Sequence, residues 1–184
     1  MADNAILVRD STDADMSAVT DIYARHVLHG LATFEEIPPS QEEMQHRRTR
    51  AASLGLPYLV AERDGTIVGF SYAATYRDRP AYRYTIEDSV YVVDGLSGLG
   101  IGSALLDCLI KQCEAGPWRQ MLAVIGDSAN TGSIALHYRF DFKLMCTLDS
   151  VGFKHGRWVD TVLMQRALGP GGSTPPMPAD IGRR

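Results

Sequence analysis

The chain has 184 residues, of which 45% are hydrophobic and 22% charged, and its formal net charge at pH 7 is −4. This composition predicts one globular domain that buries its own core. The acidic balance argues against a broad nucleic-acid surface. The sequence contains no apolar run of about 18 residues, so no membrane-spanning helix is predicted. The N-terminal residues lack the pattern of a secretory signal, and the three cysteines lack metal-ligand spacing. We therefore expect a cytoplasmic protein with reduced cysteines and with no metal, membrane or nucleic-acid partner.

The first third of the chain predicts a strand and two helices. Residues 6–9 form a short apolar strand, and apolar residues recur at helical spacing over 16–27, after a cap at Ser11 or Thr12. The segment LATFEEIPPS, residues 31–40, is a predicted loop because its two prolines prevent a helix. The capping-box pattern S-x-x-E then opens a second helix over residues 40–55.

A predicted hairpin and an arginine-rich loop follow. Strands over residues 58–62 and 66–76 flank an Asp-Gly pair, which is a strong hairpin signal. The loop RDRPAYR, residues 77–83, carries three arginines. These guanidinium groups can hold an anionic substrate through forked hydrogen bonds, or they can belong to a solvated loop. The sequence supports the two interpretations about equally.

The central feature is a strand, a glycine loop and a helix between residues 84 and 115. β-Branched and aromatic residues over 85–93 predict a buried strand, and four glycines lie between positions 95 and 102. The helix that follows leaves backbone N–H groups free at its start, where the helix dipole favours an anion. Glu87 lies just upstream on the strand. Together they indicate a phosphate-bearing cofactor with a base nearby.

Other glycine-loop families fit less well. A dinucleotide fold requires an acidic residue about 20 positions after the loop, and residues 118–123 contain none. A Walker loop requires G-K-S/T, which the sequence lacks. A turn with no ligand remains the alternative at this point.

The remaining elements complete a mixed α/β fold, a single domain of the α+β mixed-sheet type. Residues 120–125 predict a strand, and Ser128 or Asn130 can cap a short helix that ends at Tyr138. Two last strands, 143–151 and 158–165, flank the segment KHGR. Hairpins at both ends with helical crossovers between them predict a mixed sheet with helices on its faces. Residues 169–184 are rich in Gly and Pro and are predicted to be a flexible tail after a domain spanning residues 5–168.

These residues resemble a known family. The GNAT acetyltransferases bind the pyrophosphate of acetyl-CoA in a loop of pattern Q/R-x-x-G-x-G/A, which falls here on SGLGIG, residues 97–102. The segments IEDSVYV, AVIGDSAN, SIALH and GFKHGRWVDTVLMQR are similar to the phosphinothricin and methionine sulfoximine N-acetyltransferases of this superfamily. The resemblance covers about residues 5–168. It implies the GNAT fold, a homodimer with sites near its interface, and acetyl transfer from acetyl-CoA to the amine of a small amino-acid-like acceptor.

The resemblance also implies roles for particular residues. Glu87 is the general base, and His137 or the adjacent Tyr138 supplies a proton to the departing CoA thiolate. Phe34, Arg79 and Tyr82 lie beside the acceptor, together with Glu87. The implied cofactor-binding residues are Val90, Tyr91, Val92, Ser97, Gly98, Leu99, Gly100, Ile101, Gly102, Asn130 and Ser133.

The sequence departs from the family pattern at a few positions. Ser97 and Leu99 stand where the loop usually carries Arg or Gln, and Gly95 replaces a longer polar residue. Each lost charge-assisted contact weakens cofactor binding by about 1.5–3 kcal/mol unless another group replaces it. Asp141 occupies the position of a usual glycine before Phe142. Two alternatives therefore stay open: an acetyl-CoA-binding or sensing module with weak catalysis, and an acetyltransferase for another amine or a protein N-terminus.

Overall fold

A computed structural model describes residues 5–176 and shows a seven-stranded mixed sheet with helices on both faces. The strands are β1 (Leu7–Asp10), β2 (Tyr58–Arg63), β3 (Thr66–Thr75), β4 (Thr85–Val92), β5 (Gln120–Gly126), β6 (Lys143–Lys154) and β7 (Arg157–Ala167). The α-helices are α1 (Met16–His29), α2 (Gln41–Ser53), α3 (Ile101–Glu114) and α4 (Thr131–Arg139). The predicted fold class and order of elements are confirmed. Across residues 5–176, no helix combines the length and the apolar character that crossing a bilayer requires.

The strand order is β1-β2-β3-β4-β5-β7-β6, and β4–β5 is the parallel pair. These two strands pair only where Thr85–Asp88 lies beside Gln120–Ala123. Beyond that point β4 stays paired with β3 and β5 stays paired with β7. The two strands therefore part in the middle of the sheet, and the gap between them positions the site.

Side-chain alternation along β4 divides the sheet into two functional faces. Tyr91 faces α1, where its ring centroid lies 5.1 Å from that of Tyr23 in an edge-to-face contact. Val90 and Val92 face the opposite side, next to Gly102 in the first turn of α3. Glu87 and Asp88 are neighbours on this strand, so their side chains leave it on opposite faces.

Two predicted helix caps are present. The Ser40 hydroxyl accepts a hydrogen bond of 3.2 Å from the backbone N–H of Glu43 at the start of α2. The Asn130 side-chain oxygen accepts one of 3.2 Å from the backbone N–H of Ser133 at the start of α4. Both contacts satisfy an N–H group that the first helical turn leaves free. Asn130, and not Ser128, is the cap of α4.

The last hairpin is longer than predicted. The sequence pattern ended one strand at residue 151 and began the next at 158, whereas β6 runs to Lys154 and β7 starts at Arg157. His155 and Gly156 form the whole turn, with φ of 51° and 74°. Positive φ at both central residues is typical of the two-residue turn that matches the twist of paired strands. The four-residue segment KHGR therefore supplies strand residues as well as the turn.

The first residues after β7 contact the domain. The Arg119 guanidinium donates hydrogen bonds of 2.9 Å to the carbonyl of Gly171 and of 2.8 Å to the carbonyl of Thr174. The predicted flexible tail begins in this segment, and its residues 177–184 lie outside the described part of the chain.

Asp141 has a left-handed backbone, with φ of 63°, directly after α4. We expect Asp141→Gly to raise the free energy of unfolding by up to about 1 kcal/mol, because glycine adopts this conformation without strain. The melting temperature should rise by about 2–4 °C. Both substitutions lose the 3.4 Å contact between Arg166 and the exposed Asp141 carboxylate, but Asp141→Ala also keeps the backbone strain, so it should melt below the wild type. A glycine variant that melts lower than the wild type would contradict this account.

Candidate active site

A cavity of about 530 Å³ lies where β4 and β5 part. Its walls come from the second half of β4, the glycine loop, the first turn of α3, the end of β5, and α4. His26 and Ala32 line it from the α1 face, whereas Gly102 and Leu136 line it from the α3 and α4 face. The gap in the sheet therefore connects both faces through one cavity.

The glycine loop gives this cavity an anion-binding end. Gly98 and Gly100 have φ of 81° and 85°, a conformation that favours glycine. In the described part of the chain, the backbone N–H groups of residues 98–103 have no backbone acceptor, and the first bond of α3 runs from the Ala104 N–H to the Gly100 carbonyl. Free N–H groups and the helix dipole together favour a phosphate at this end.

Most of the predicted cofactor-binding residues meet at this cavity. Leu99 is the exception, because its side chain is 50% exposed and does not line the cavity. The predicted residues that do line it are Val90, Tyr91, Val92, Ser97, Gly98, Gly100, Ile101, Gly102, Asn130 and Ser133.

Glu87 lies on the α1 face of β4, beside the start of the gap. It pairs in register with Ala74 on β3 and with Leu122 on β5, and it is not itself a lining residue. Burial, with a smaller contribution from the charge of Asp88, raises the pKa of the Glu87 carboxyl to about 7. A carboxylate with this pKa can take up a proton near neutral pH.

His137 lines the cavity from the opposite face as part of a buried pair with Asp88. Its Nε2 lies 3.0 Å from Asp88 Oδ2, and the two side chains are 4% and 1% exposed. Its Nδ1 lies 2.7 Å from the Ser133 carbonyl oxygen, which can only accept, so Nδ1 carries a hydrogen. Burial lowers the pKa of the imidazole, but the hydrogen bond and charge of Asp88 outweigh it, and the pKa is raised. The pair therefore holds a proton beside the cavity.

Tyr138, unlike the buried His137, lies at the protein surface. Its side chain is 51% exposed, and it does not line the cavity. Of the two predicted proton donors, His137 is the one that the structure brings to the cavity.

The predicted acceptor-side residues are spread over the surface around the gap. Phe34 packs against Gly126 at the end of β5 and against Gly152 on β6, where a Cβ would collide with its ring. The ammonium of buried Lys154 holds this loop through a 2.7 Å hydrogen bond to the Thr33 carbonyl.

Arg79 and Tyr82 lie in the exposed loop between β3 and β4, and neither lines the cavity. The Tyr82 ring packs edge-on against Tyr76, with centroids 5.5 Å apart. A single chain therefore does not bring this loop to the cavity.

Asp88 and Arg139 are two charged residues among the lining residues that were not identified from the sequence. Asp88 pairs with a residue 49 positions away, and Arg139, which lines the cavity, contacts a residue 36 positions away. Because side chains alternate between the two faces of a strand, the sequence did indicate that Asp88 lies on the opposite face of β4 from Glu87. Nothing in the sequence indicated the position of Arg139.

Comparison with known proteins assigns the family. A family model described as "Acetyltransferase (GNAT) family" matches residues 24–142.

The chain belongs to the GNAT acetyltransferase family.

Curated and solved relatives agree with this assignment. Phosphinothricin N-acetyltransferase of Alcaligenes faecalis is 54% identical over 172 residues, covering 94% of this chain and 87% of that protein. L-methionine sulfoximine/L-methionine sulfone acetyltransferase of Salmonella typhimurium is 34% identical, covering 88% of this chain and 94% of that protein. A GNAT phosphinothricin acetyltransferase from Sinorhizobium meliloti, solved in complex with AcCoA, superimposes with a TM-score of 0.90 at 46% identity, covering 94% and 93% of the two chains.

These matches confirm the predicted family, the GNAT fold and the enzyme class. The protein is an acetyltransferase that uses acetyl-CoA. Within residues 5–176 no group of His, Cys, Asp and Glu side chains is arranged to hold a metal ion.

Glu87 should make stability depend on pH. Its pKa rises from about 4.5 to about 7 on folding, so the folded state holds this proton more tightly than the unfolded chain. The stabilisation is complete below pH 4.5 and is lost as the pH rises through 7. Compared with Glu87→Gln, the wild type should lose about 2–3 kcal/mol between these limits in denaturant titrations. The same substitution at exposed Glu42 is the control, and identical pH profiles for wild type and Glu87→Gln would contradict the burial of this carboxyl.

Proposed function

We propose that this chain acetylates the amine of a small amino-acid-like acceptor, such as phosphinothricin or methionine sulfoximine, with acetyl-CoA as donor. The main support is the cavity at the gap between β4 and β5, which opens to both faces of the sheet beside a carboxyl with a pKa of about 7. The named activities of the Alcaligenes and Salmonella relatives support the choice of acceptor. The catalytic domain in this proposal spans residues 5–168.

The donor lies along the parted half of β4. The free N–H groups of residues 98–103 hold the pyrophosphate, and the edge of Val90, Tyr91 and Val92 that has no β5 partner offers backbone groups to the pantetheine arm. The Val92 carbonyl oxygen on this strand lies 3.0 Å from His26 Nε2. Asn130 and Ser133 form the opposite wall near the thioester. In this arrangement the thioester carbon lies in the gap, where it can be reached from the α1 face.

The acceptor enters from the α1 face, beside Glu87 and Phe34. Glu87 removes a proton from the ammonium group, since only the neutral amine attacks the thioester. The new N–C bond forms and the C–S bond breaks. The CoA thiolate takes a proton from His137, whose ring nitrogens are hydrogen-bonded to Asp88 and to the Ser133 carbonyl, and the second proton lost by the reacting nitrogen restores the one that His137 gives up. Tyr138 is the other donor that the family resemblance implies. His137 is the better placed of the two because it lines the cavity.

The acceptor's anionic groups require a cation, which Arg79 supplies together with Tyr82 in a homodimer. The arginine loop lies away from its own cavity, so a partner chain is the route by which it reaches a site. β6 is the edge strand of the sheet and exposes the apolar residues Leu144, Met145, Leu148, Val151 and Phe153, next to Trp158 on β7. An exposed apolar edge of this kind is covered by a partner.

Three free cysteines fit a cytoplasmic location.

The proposed dimer can be tested by a substitution on the exposed strand β6. The substitution Val151→Asp places a charge on the apolar edge, so we expect it to convert the dimer to a monomer in sedimentation velocity experiments. Leu54→Asp, at an equally exposed apolar residue after α2, is the control and should stay dimeric. A wild type that is monomeric, or a dimer unaffected by Val151→Asp, would contradict the proposal.

The activity can be tested by release of CoA thiol in the presence of each acceptor. We expect turnover with phosphinothricin or methionine sulfoximine, and kcat/KM should rise with pH around a pKa of about 7. Glu87→Gln should lower kcat at pH 7 by about 100-fold or more and remove this rise, because the base is lost. Glu42→Gln is the control for exposed carboxylates. Unchanged turnover in Glu87→Gln would show that Glu87 is not the base.

Two alternatives have support in particular residues. The uncharged Ser97 and Leu99 favour a sensing module, which would bind acetyl-CoA in calorimetry without amine-dependent thiol release. The exposed arginine loop leaves room for another amine or a protein N-terminus. A panel of amino acids, polyamines and peptides in the thiol-release assay distinguishes these acceptors.

A further inference from the structure

We propose that Arg139 is a cofactor-binding residue, which supplies to the phosphates of acetyl-CoA the positive charge that the glycine loop lacks. The inference rests on the use of acetyl-CoA in the proposed function. Arg139 lies on α4, and only the folding of the chain brings it next to the glycine loop.

Arg139 lies beside the amide groups that form the anion site. It is the last residue of α4, and its Nη1 donates a 3.1 Å hydrogen bond to the hydroxyl of Ser103 in the first turn of α3. One turn earlier on α4, Leu136 packs against Gly102, where an added Cβ would lie 3.3 Å from its Cδ2. The C-terminal turn of α4 therefore packs along the turn of α3 whose N–H groups are free.

Arg139 differs from the other residues that line the cavity in its positive charge. It is the single lysine or arginine among the described residues that line the cavity, whereas Asp88 and Asp94 line it with negative charge. It pairs with no carboxylate in the described part of the chain. By contrast, Arg157 and Arg166, on the neighbouring strand β7, both form salt bridges.

An unpaired guanidinium at this point matches the chemistry of a diphosphate. The loop offers backbone N–H groups but no cation, because Ser97 and Leu99 are uncharged. A guanidinium presents two parallel N–H groups that match two phosphate oxygens. It can keep one N–H on Ser103, which fixes its direction, while the others face the bound phosphates. Arg139 thus replaces, from α4, the charge expected within the loop.

The test compares two donors that differ in their phosphates. Binding of acetyl-CoA is measured by calorimetry, and acetyl transfer from S-acetylpantetheine, which has no phosphate, is measured by amine-dependent product formation. We expect Arg139→Gln to weaken acetyl-CoA binding by about 10- to 100-fold and to reduce its salt dependence. The kcat/KM for S-acetylpantetheine should not change. Arg139→Lys should restore part of the affinity, and Arg50→Gln on exposed α2 is the control.

Each other outcome overturns the assignment. Wild-type affinity for acetyl-CoA in Arg139→Gln would show that the guanidinium does not contact the phosphates. An equal loss with both donors would show that Arg139 only supports the packing of α3 on α4. A wild-type protein that binds no acetyl-CoA would overturn the proposed function together with this assignment.

Discussion

The site depends on the short pairing between β4 and β5. Their backbones pair over four residues each, and then each strand follows its other neighbour, β3 or β7. Backbone N–H and C=O groups in the middle of a sheet are normally paired, and here one edge of each strand is left without a strand partner. An extended ligand with amide groups of its own can complete that edge. The pantetheine arm carries two amides, so in the proposed function the bound donor completes the edge of β4 that has no strand partner.

The alternation of β4 places two acidic side chains on opposite sides of this gap. Glu87 lies on the α1 face, from which the acceptor enters in the proposed function, whereas Asp88 faces α4 and pairs with His137. The neighbouring carboxylate also helps to raise the pKa of Glu87. In the proposed mechanism the two adjacent acids therefore have separate roles, Glu87 as the base on one face and Asp88 as the partner of the proton donor His137 on the other.

Local signals were sufficient to predict the order of elements and the glycine loop, whereas the other predicted residues that line the cavity were expected from the family resemblance. Helical and strand periodicity, together with the caps at Ser40 and Asn130, depend on residues close in sequence. The glycine loop was visible because its conformation requires a local residue type. The pairing of Asp88 with His137 and of Arg139 with Ser103 was not predictable, because each depends on how α4 packs against the sheet and α3. The turn at His155 and Gly156 was mistaken because a four-residue polar segment resembled a loop.

The position of β7 has a consequence for how the chain reaches its native state. The last strand of the sequence does not lie at an edge of the sheet but between β5 and β6. During synthesis, β5 and β6 are therefore not joined in one sheet until β7, which ends at Ala167, has been made. β6 has no strand partner other than β7, so the last strand of the chain both completes the pairing of β5 and attaches β6 to the sheet. Removing β7 would therefore detach β6 and leave β5 paired with β4 alone over Gln120–Ala123, beside the gap.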